Sequence, residues 1–274
     1  MGETVNEDKV NVKIIVASHK DTPVPHGGMY LPVLAGSSLH EEIPEGFTAD
    51  NTGENISVLN NMYSELTALY WGWKNLPDIT KETSYIGLVH YRRLFGTKNK
   101  GEITYEQISR FLGKKKIFVP TQREYLIDTL RAHYCHTHGS ETLDECEKVV
   151  ARLHPDYMKS FDKALSRSHG YMFNMMIMRG DLADEYLTWL FEILNELTLN
   201  VDSSGMDDFD KRYPGRISEL LFNVWLEYQL ENDKIKHSDI KVLPWYTTTG
   251  DKTLEKAGAL LKGKFKGEKY HKSF

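Results

Sequence analysis

The stretch Tyr85-Ile-Gly-Leu-Val-His-Tyr-Arg-Arg-Leu-Phe95 decides how the rest of the chain is read. Ile86 to Val89 is a short, apolar, partly β-branched run of the kind found in strands buried on both faces. It delivers His90, Tyr91, Arg92 and Arg93 in immediate succession at its carboxyl end. In open α/β sheets ligands bind beyond the carboxyl ends of strands, and paired guanidinium groups there suit phosphate or carboxylate. The alternative is a strand that leaves the core with two solvated arginines.

Working upstream, Val12 to Ala17 reads as a buried first strand with Ser18, His19 and Lys20 at its carboxyl end. Thr22 to Asn55 carries four prolines and five glycines and reads as a long ordered loop, with little periodicity beyond Met29 to Leu34. Asn55 or Ser57 can then cap a helix. Its apolar stripe is Leu59, Met62, Tyr63, Leu66, Leu69, Tyr70 and Trp73, and Leu76-Pro77-Asp78 ends it. The resulting β–loop–α–β order implies a right-handed crossover if the two strands lie parallel.

Downstream, Thr104 is expected to cap a short helix, and Lys116 to Val119 to form a strand stopped by Pro120. Gln122 to Ala164 has a broken helical pattern. Tyr171 to Met178 reads as a fourth strand interrupted by Asn174, and Asp181 as the cap of a helix running through Leu197. Asp202 to Gly215 is a polar loop. The last strong helix uses Ile217, Leu220, Leu221, Val224, Trp225 and Tyr228, and Lys241 to Trp245 is a final strand or an extended tail.

At 274 residues and 40% hydrophobic content the chain can bury a large core, as one α/β domain or two small ones. A net charge of −5 and a pI near 6.1 argue against a general nucleic-acid binder. Cys135 and Cys146 have no metal-type spacing and offer no disulfide framework. With no apolar run of about 18 residues and an acidic Met1 to Lys9, the expected location is cytoplasmic. Residues 1–11 are expected to be flexible. Residues 250–274 form a basic tail whose lysines could touch an anionic inner-membrane face.

The chemistry-bearing residues are few. No Asp-x-Asp follows a buried strand, and Asp208-Phe-Asp210 sits in a loop. A diphosphate would therefore be offset by arginines, and a divalent ion such as Mn or Mg is compatible with this reading without being required by it. Arg216, Glu219 and Asn223 share a helix stripe, either a base with its cation or an ordinary salt-bridged surface. His133, His136 and His138 lack a zinc pattern, which leaves one histidine on a phosphate or acceptor, or a solvated loop histidine.

Taken together, several stretches resemble the bacterial capsular and exopolysaccharide glycosyltransferases first catalogued as a domain of unknown function, whose hallmark is a His-Tyr-Arg-Arg strand. They are Lys13 to Lys20, Tyr30 to Gly36, Asp50 to Ser57, Tyr63 to Asn75, Tyr85 to Phe95, Met172 to Met178 and Arg216 to Trp225. The resemblance implies a single GT-A-like domain, a Rossmann-type nucleotide-binding sheet flanked by helices, with a helical C-terminal half that holds the acceptor. It implies transfer of a sugar, a galactose in pyranose or furanose form, from a UDP-sugar donor to a lipid-linked oligosaccharide acceptor. By position, Ser18, His19 and Lys20 would lie near the nucleotide, and Asp50, Asn55 and Glu65 would line the donor pocket. His90, Arg92 and Arg93 would face the diphosphate or the sugar. Glu219 would be the general base, with Asp208 the less favoured candidate, and His138, Asn174 and Arg216 would meet the acceptor. The chain departs from the family at Leu220, where an arginine is expected beside the glutamate, and at Ser64, a position often held by cysteine. A non-catalytic carbohydrate or nucleotide-sugar binding module is the competing expectation.

Overall fold

In the computed structural model, which describes residues 10–248, seven strands form the principal path of a ten-stranded sheet. They are β1 (Asn11–Ser18), β2 (Tyr30–Leu34), β3 (Thr48–Ala49), β4 (Ser84–His90), β5 (Ile117–Pro120), β6 (Met176–Arg179) and β7 (Ile240–Leu243). Their spatial order is 3-2-1-4-6-5-7. β1 runs parallel to β2 and β4, β2 to β3, and β7 to β5, while β6 runs antiparallel to both neighbours. The order reverses between β1 and β4, which is where open sheets of this kind open a crevice.

Alternation along the strands divides the core. Ile15, Ala17, Ile86 and Leu88 belong to the large core shared with the helices, whereas Ile14, Val16, Tyr85 and Val89 belong to a smaller one. Both faces are therefore covered, which explains why β1 and β4 read as near-continuous apolar runs rather than alternating ones. Gly87 permits a close approach: a Cβ there would sit 2.8 Å from an Ile177 side-chain carbon and 2.9 Å from the Met176 carbonyl of β6.

The longer helices are α1 (Leu66–Asn75), α2 (Leu130–His138), α3 (Glu141–Leu153), α4 (Met158–Leu165), α5 (Gly180–Asn200) and α6 (Tyr213–Glu231). Thr104 caps the short helix Tyr105–Ser109 in a capping box with Gln107, as its sequence predicts. Among the described residues no helix is long and apolar enough to cross a membrane. The basic tail lies outside the described residues, as do residues 1–9 of the expected flexible start, and Asn11 already opens β1.

Four local expectations are corrected. The stretch Thr22 to Asn55 is not loop throughout, because β2 and β3 add two strands to the sheet edge there. The helix drawn from Asn55 to Trp73 is interrupted: a helical turn, Asn60–Tyr63, ends at Ser64 (φ 50°), and α1 starts afresh at Leu66. The strand drawn from Tyr171 begins only at Met176, since Phe173 and Asn174 have φ of 75° and 53° and cannot continue a ladder. Asp181 does not cap α5. It lies in the first turn and takes two 2.6 Å hydrogen bonds from Arg179. The final stretch does form a strand, β7, after which Trp245–Thr247 pairs with the return strand Arg93–Thr97.

Candidate functional site

β4 ends in a hairpin: His90 pairs directly with Arg93 across the Tyr91-Arg92 turn, and the Tyr91 amide donates to the Ala17 carbonyl of β1. The register thus brings the ends of β1 and β4 level, Ala17 beside His90. Above them opens a cleft of about 680 Å³. Ser18 and His19 from β1, His90 to Arg93 from β4, Arg123 and Tyr125 beyond β5, and Arg212, Arg216 and Glu219 around α6 all line it.

Cations dominate the β4 side. The Arg92 side chain reaches within 5.4 Å of the Tyr91 ring centre, and its buried Nε has no hydrogen-bond partner among the described residues. Arg93 lies over the Phe173 ring at 4.2 Å. His90 Nδ1 accepts from the Arg92 amide at 3.3 Å, which leaves the ring proton on Nε2. Burial and then the Arg92 and Arg93 charges push its pKa down to about 3, so it faces the cleft neutral. His19 is lowered too, by burial and by Lys20, Arg92 and Arg212.

Two carboxyls share the cleft with these cations, both oriented by one kink. The left-handed Phe173-Asn174 pair presents the Phe173 amide to Glu219 at 3.0 Å and the Asn174 side-chain amide to Glu65 at 2.8 Å. Asn174 is itself held, donating to the Gly215 carbonyl at 3.0 Å and accepting from the Ser218 hydroxyl at 2.8 Å. The break at Ser64 is what turns Glu65 toward this kink, with the Ser64 carbonyl accepting from Asn60 at 2.7 Å. Burial raises the pKa of both carboxyls. For Glu219, burial and the Glu65 charge outweigh the Phe173 amide, Arg93 and Arg123, and the value rises to about 7.

Of the residues singled out from sequence as site candidates, Ser18, His19, Glu65, His90, Tyr91, Arg92, Arg93, His133, His138, Arg216 and Glu219 line this one cleft. The others do not. Lys20 is exposed beside it, 5.4 Å from the Tyr91 ring centre. Asp50 is fully buried elsewhere and accepts from the Gly36 and Ser37 amides and from the Ser37 and Ser57 hydroxyls. Asn55 closes its own turn, donating to the Gly53 carbonyl and accepting from the Ser57 amide. Asn174 is buried behind Glu65 rather than facing the cleft, and Asp208 is exposed outside the lining. The stripe of Arg216, Glu219 and Asn223 is not a solvated salt-bridged face. Asn223 is buried and Arg216 is clamped over the Phe209 ring at 3.9 Å with His138 Nδ1 at 3.2 Å. The cations beside Glu219 are Arg93 and Arg123, so Leu220 costs it no partner.

Arg123 and Arg212 also line the cleft, and neither stands out as a site residue in the sequence. Arg123 follows the carboxyl end of β5 by three residues, the same rule that marks Arg92 and Arg93. Arg212 carries no such signal, because only the folding of its loop brings it near His19. Among the described residues, no three His, Cys, Asp or Glu side chains gather as a metal-holding group. The strand-end side of the cleft is guanidinium and imidazole, and the two carboxyls in its lining, Glu65 and Glu219, are held by the Asn174 side chain and the Phe173 amide.

A family model described as "Domain of unknown function (DUF4422)" matches residues 13–231. The apo structure of the WbbM bifunctional glycosyltransferase is similar over 87% of this chain, at 27% identity and a TM-score of 0.75. The match covers 46% of that enzyme, so the chain spans about half its length. No curated protein matches. The shared architecture is GT-A-like: a mostly parallel sheet flanked by helices, with a helical C-terminal part.

Proposed function

The chain belongs to the DUF4422 family, and from that premise and the chemistry of the cleft we propose that it is a glycosyltransferase. It moves a sugar, a galactose in pyranose or furanose form, from a UDP-sugar to a lipid-linked oligosaccharide on the way to a capsular or exopolysaccharide. The likeness to a bifunctional glycosyltransferase supports the reaction class. The observation that carries the reading is the meeting in one cleft of a cationic hairpin tip, whose buried Arg92 Nε has no acceptor among the described residues, and a carboxyl whose pKa is raised to about 7.

In this reading Arg92 and Arg93 bind the diphosphate, with His90 as a neutral donor beside them. Glu219 takes the proton of the acceptor hydroxyl while that oxygen bonds to the anomeric carbon. The anomeric C–O bond to UDP breaks, its electron pair leaving on the β-phosphate oxygen, where the guanidinium groups stabilise the growing charge. A single displacement of this kind inverts the anomeric configuration. A pKa near 7 suits a general base at neutral pH.

The test is a panel of UDP-sugars scored by thermal shift, with and without EDTA and manganese, followed by release of UDP with and without acceptor. One donor should stabilise the protein and be turned over, insensitive to EDTA. Binding without release of UDP under any condition would convert the reading to a binding module, and no binding at all would end it.

A further inference from the structure

A second groove, of about 560 Å³, lies on the far side of the wall that bounds the cleft. Two pairs of neighbouring residues make that wall. Tyr171 lines the groove and Met172 the cleft; Gln122 lines the groove and Arg123 the cleft. Asn223 fixes the first pair in place, accepting from the Tyr171 amide and donating to its carbonyl, both at 2.8 Å. Along α6, Glu219 faces the cleft, and Asn223 and Glu227 face the groove on the next two turns, about 12 Å in all. The two cavities thus share a wall and a helix, and the groove begins one turn along α6 beyond Glu219.

Its lining says what it can hold. Lys163 and Arg167 are both neutralised, each 2.6 Å from Glu227, with Lys163 also 2.9 Å from Glu231. Two cations against two carboxylates leave no net charge to attract a phosphate or a metal ion. So charged a lining does not suit an apolar ligand either. What remains is dense in donors and acceptors around the Tyr171 ring, and it includes a buried His169 Nδ1 with no hydrogen-bond partner among the described residues. We propose that this groove is an extended acceptor subsite that binds, as neutral sugar units, the part of the saccharide preceding the one that is glycosylated. The inference rests on the glycosyltransferase reading only for its direction; the groove's affinity for neutral saccharide stands apart from it.

The experiment uses mono- to tetrasaccharide fragments of the host cell's own surface polysaccharide, as acceptors in transfer kinetics and as ligands in saturation-transfer NMR. The parent protein should show KM falling about tenfold as the acceptor lengthens, equivalent to about 1.4 kcal/mol. Tyr171→Ala should flatten that dependence, so that its penalty widens with acceptor length. Gln122→Trp, at an exposed position, fills the groove without touching the core and should do the same if Tyr171→Ala fails to fold. Binding of the trisaccharide that is lost in either variant, with no transfer in the parent, would keep the subsite and sink the transferase reading. Transfer that is indifferent to acceptor length, or length dependence that survives both variants, would overturn the subsite. So would the absence of saccharide binding by NMR.

Discussion

Glu219 is the residue where site chemistry and stability oppose each other. Folding raises its pKa from 4.5 to about 7, so between those values the folded chain holds a proton that the unfolded chain has lost. Its contribution to stability is fully present below the unfolded value and is lost as pH rises toward 7. Glu219→Gln removes that cost. Its stability should exceed the parent's at about pH 8 by on the order of 1–3 kcal/mol and match it near pH 4, as read by denaturant titration. The same substitution should abolish the rise of kcat/KM with pH through about 7, because the proposed mechanism makes the ionised carboxylate the base. Arg92→Ala should lower turnover by about 10²–10³-fold with an unchanged circular-dichroism spectrum; an unaltered rate would remove Arg92 from the leaving-group role.

At the scale of elements, two devices hold the cleft, a kink beside it and a buried carboxylate away from it. The Phe173-Asn174 kink sets both carboxylates, and its left-handed backbone is one that asparagine tolerates better than most residues. Asn174→Leu takes the side-chain amide away from Glu65 and strains the turn. It should cost about 1–3 kcal/mol and, unlike a purely structural change elsewhere, shift the pKa seen in the pH–rate profile. Asp50 plays the other part, gathering the loop after β2 and the turn before α1. Asp50→Ala leaves buried donors unpaired and should lower Tm by several degrees, while the protein that remains folded binds UDP as the parent does. A selective loss of UDP affinity without loss of Tm would return Asp50 to the donor pocket.

Across the whole molecule, a net charge of −5 coexists with a cleft lined by Arg92, Arg93, Arg123, Arg212 and Arg216. Such concentration of one sign in a concave site draws an anionic ligand in and weakens with salt. The Kd for UDP should therefore rise steeply between low and physiological ionic strength, measured by calorimetry, whereas saccharide binding in the neutral second groove should barely move. Much of this molecule was legible in the chain itself. Strands buried on both faces must be apolar runs, so β1, β4 and β5 announced themselves, and a strand that ends in His-Tyr-Arg-Arg marks its own functional edge. β2 falls on Met29 to Leu34, where the proline- and glycine-rich stretch keeps some periodicity, whereas β3, two residues at the sheet edge, left no pattern because so short a strand needs only a partner. Glu65 and Glu219 both stood out as letters, but their shared kink, Asp50's structural duty and the arrival of Arg123 and Arg212 did not. Those depend on burial and on distances between residues far apart in the chain, which the register of the sheet and the break at Ser64 set only once the fold has closed.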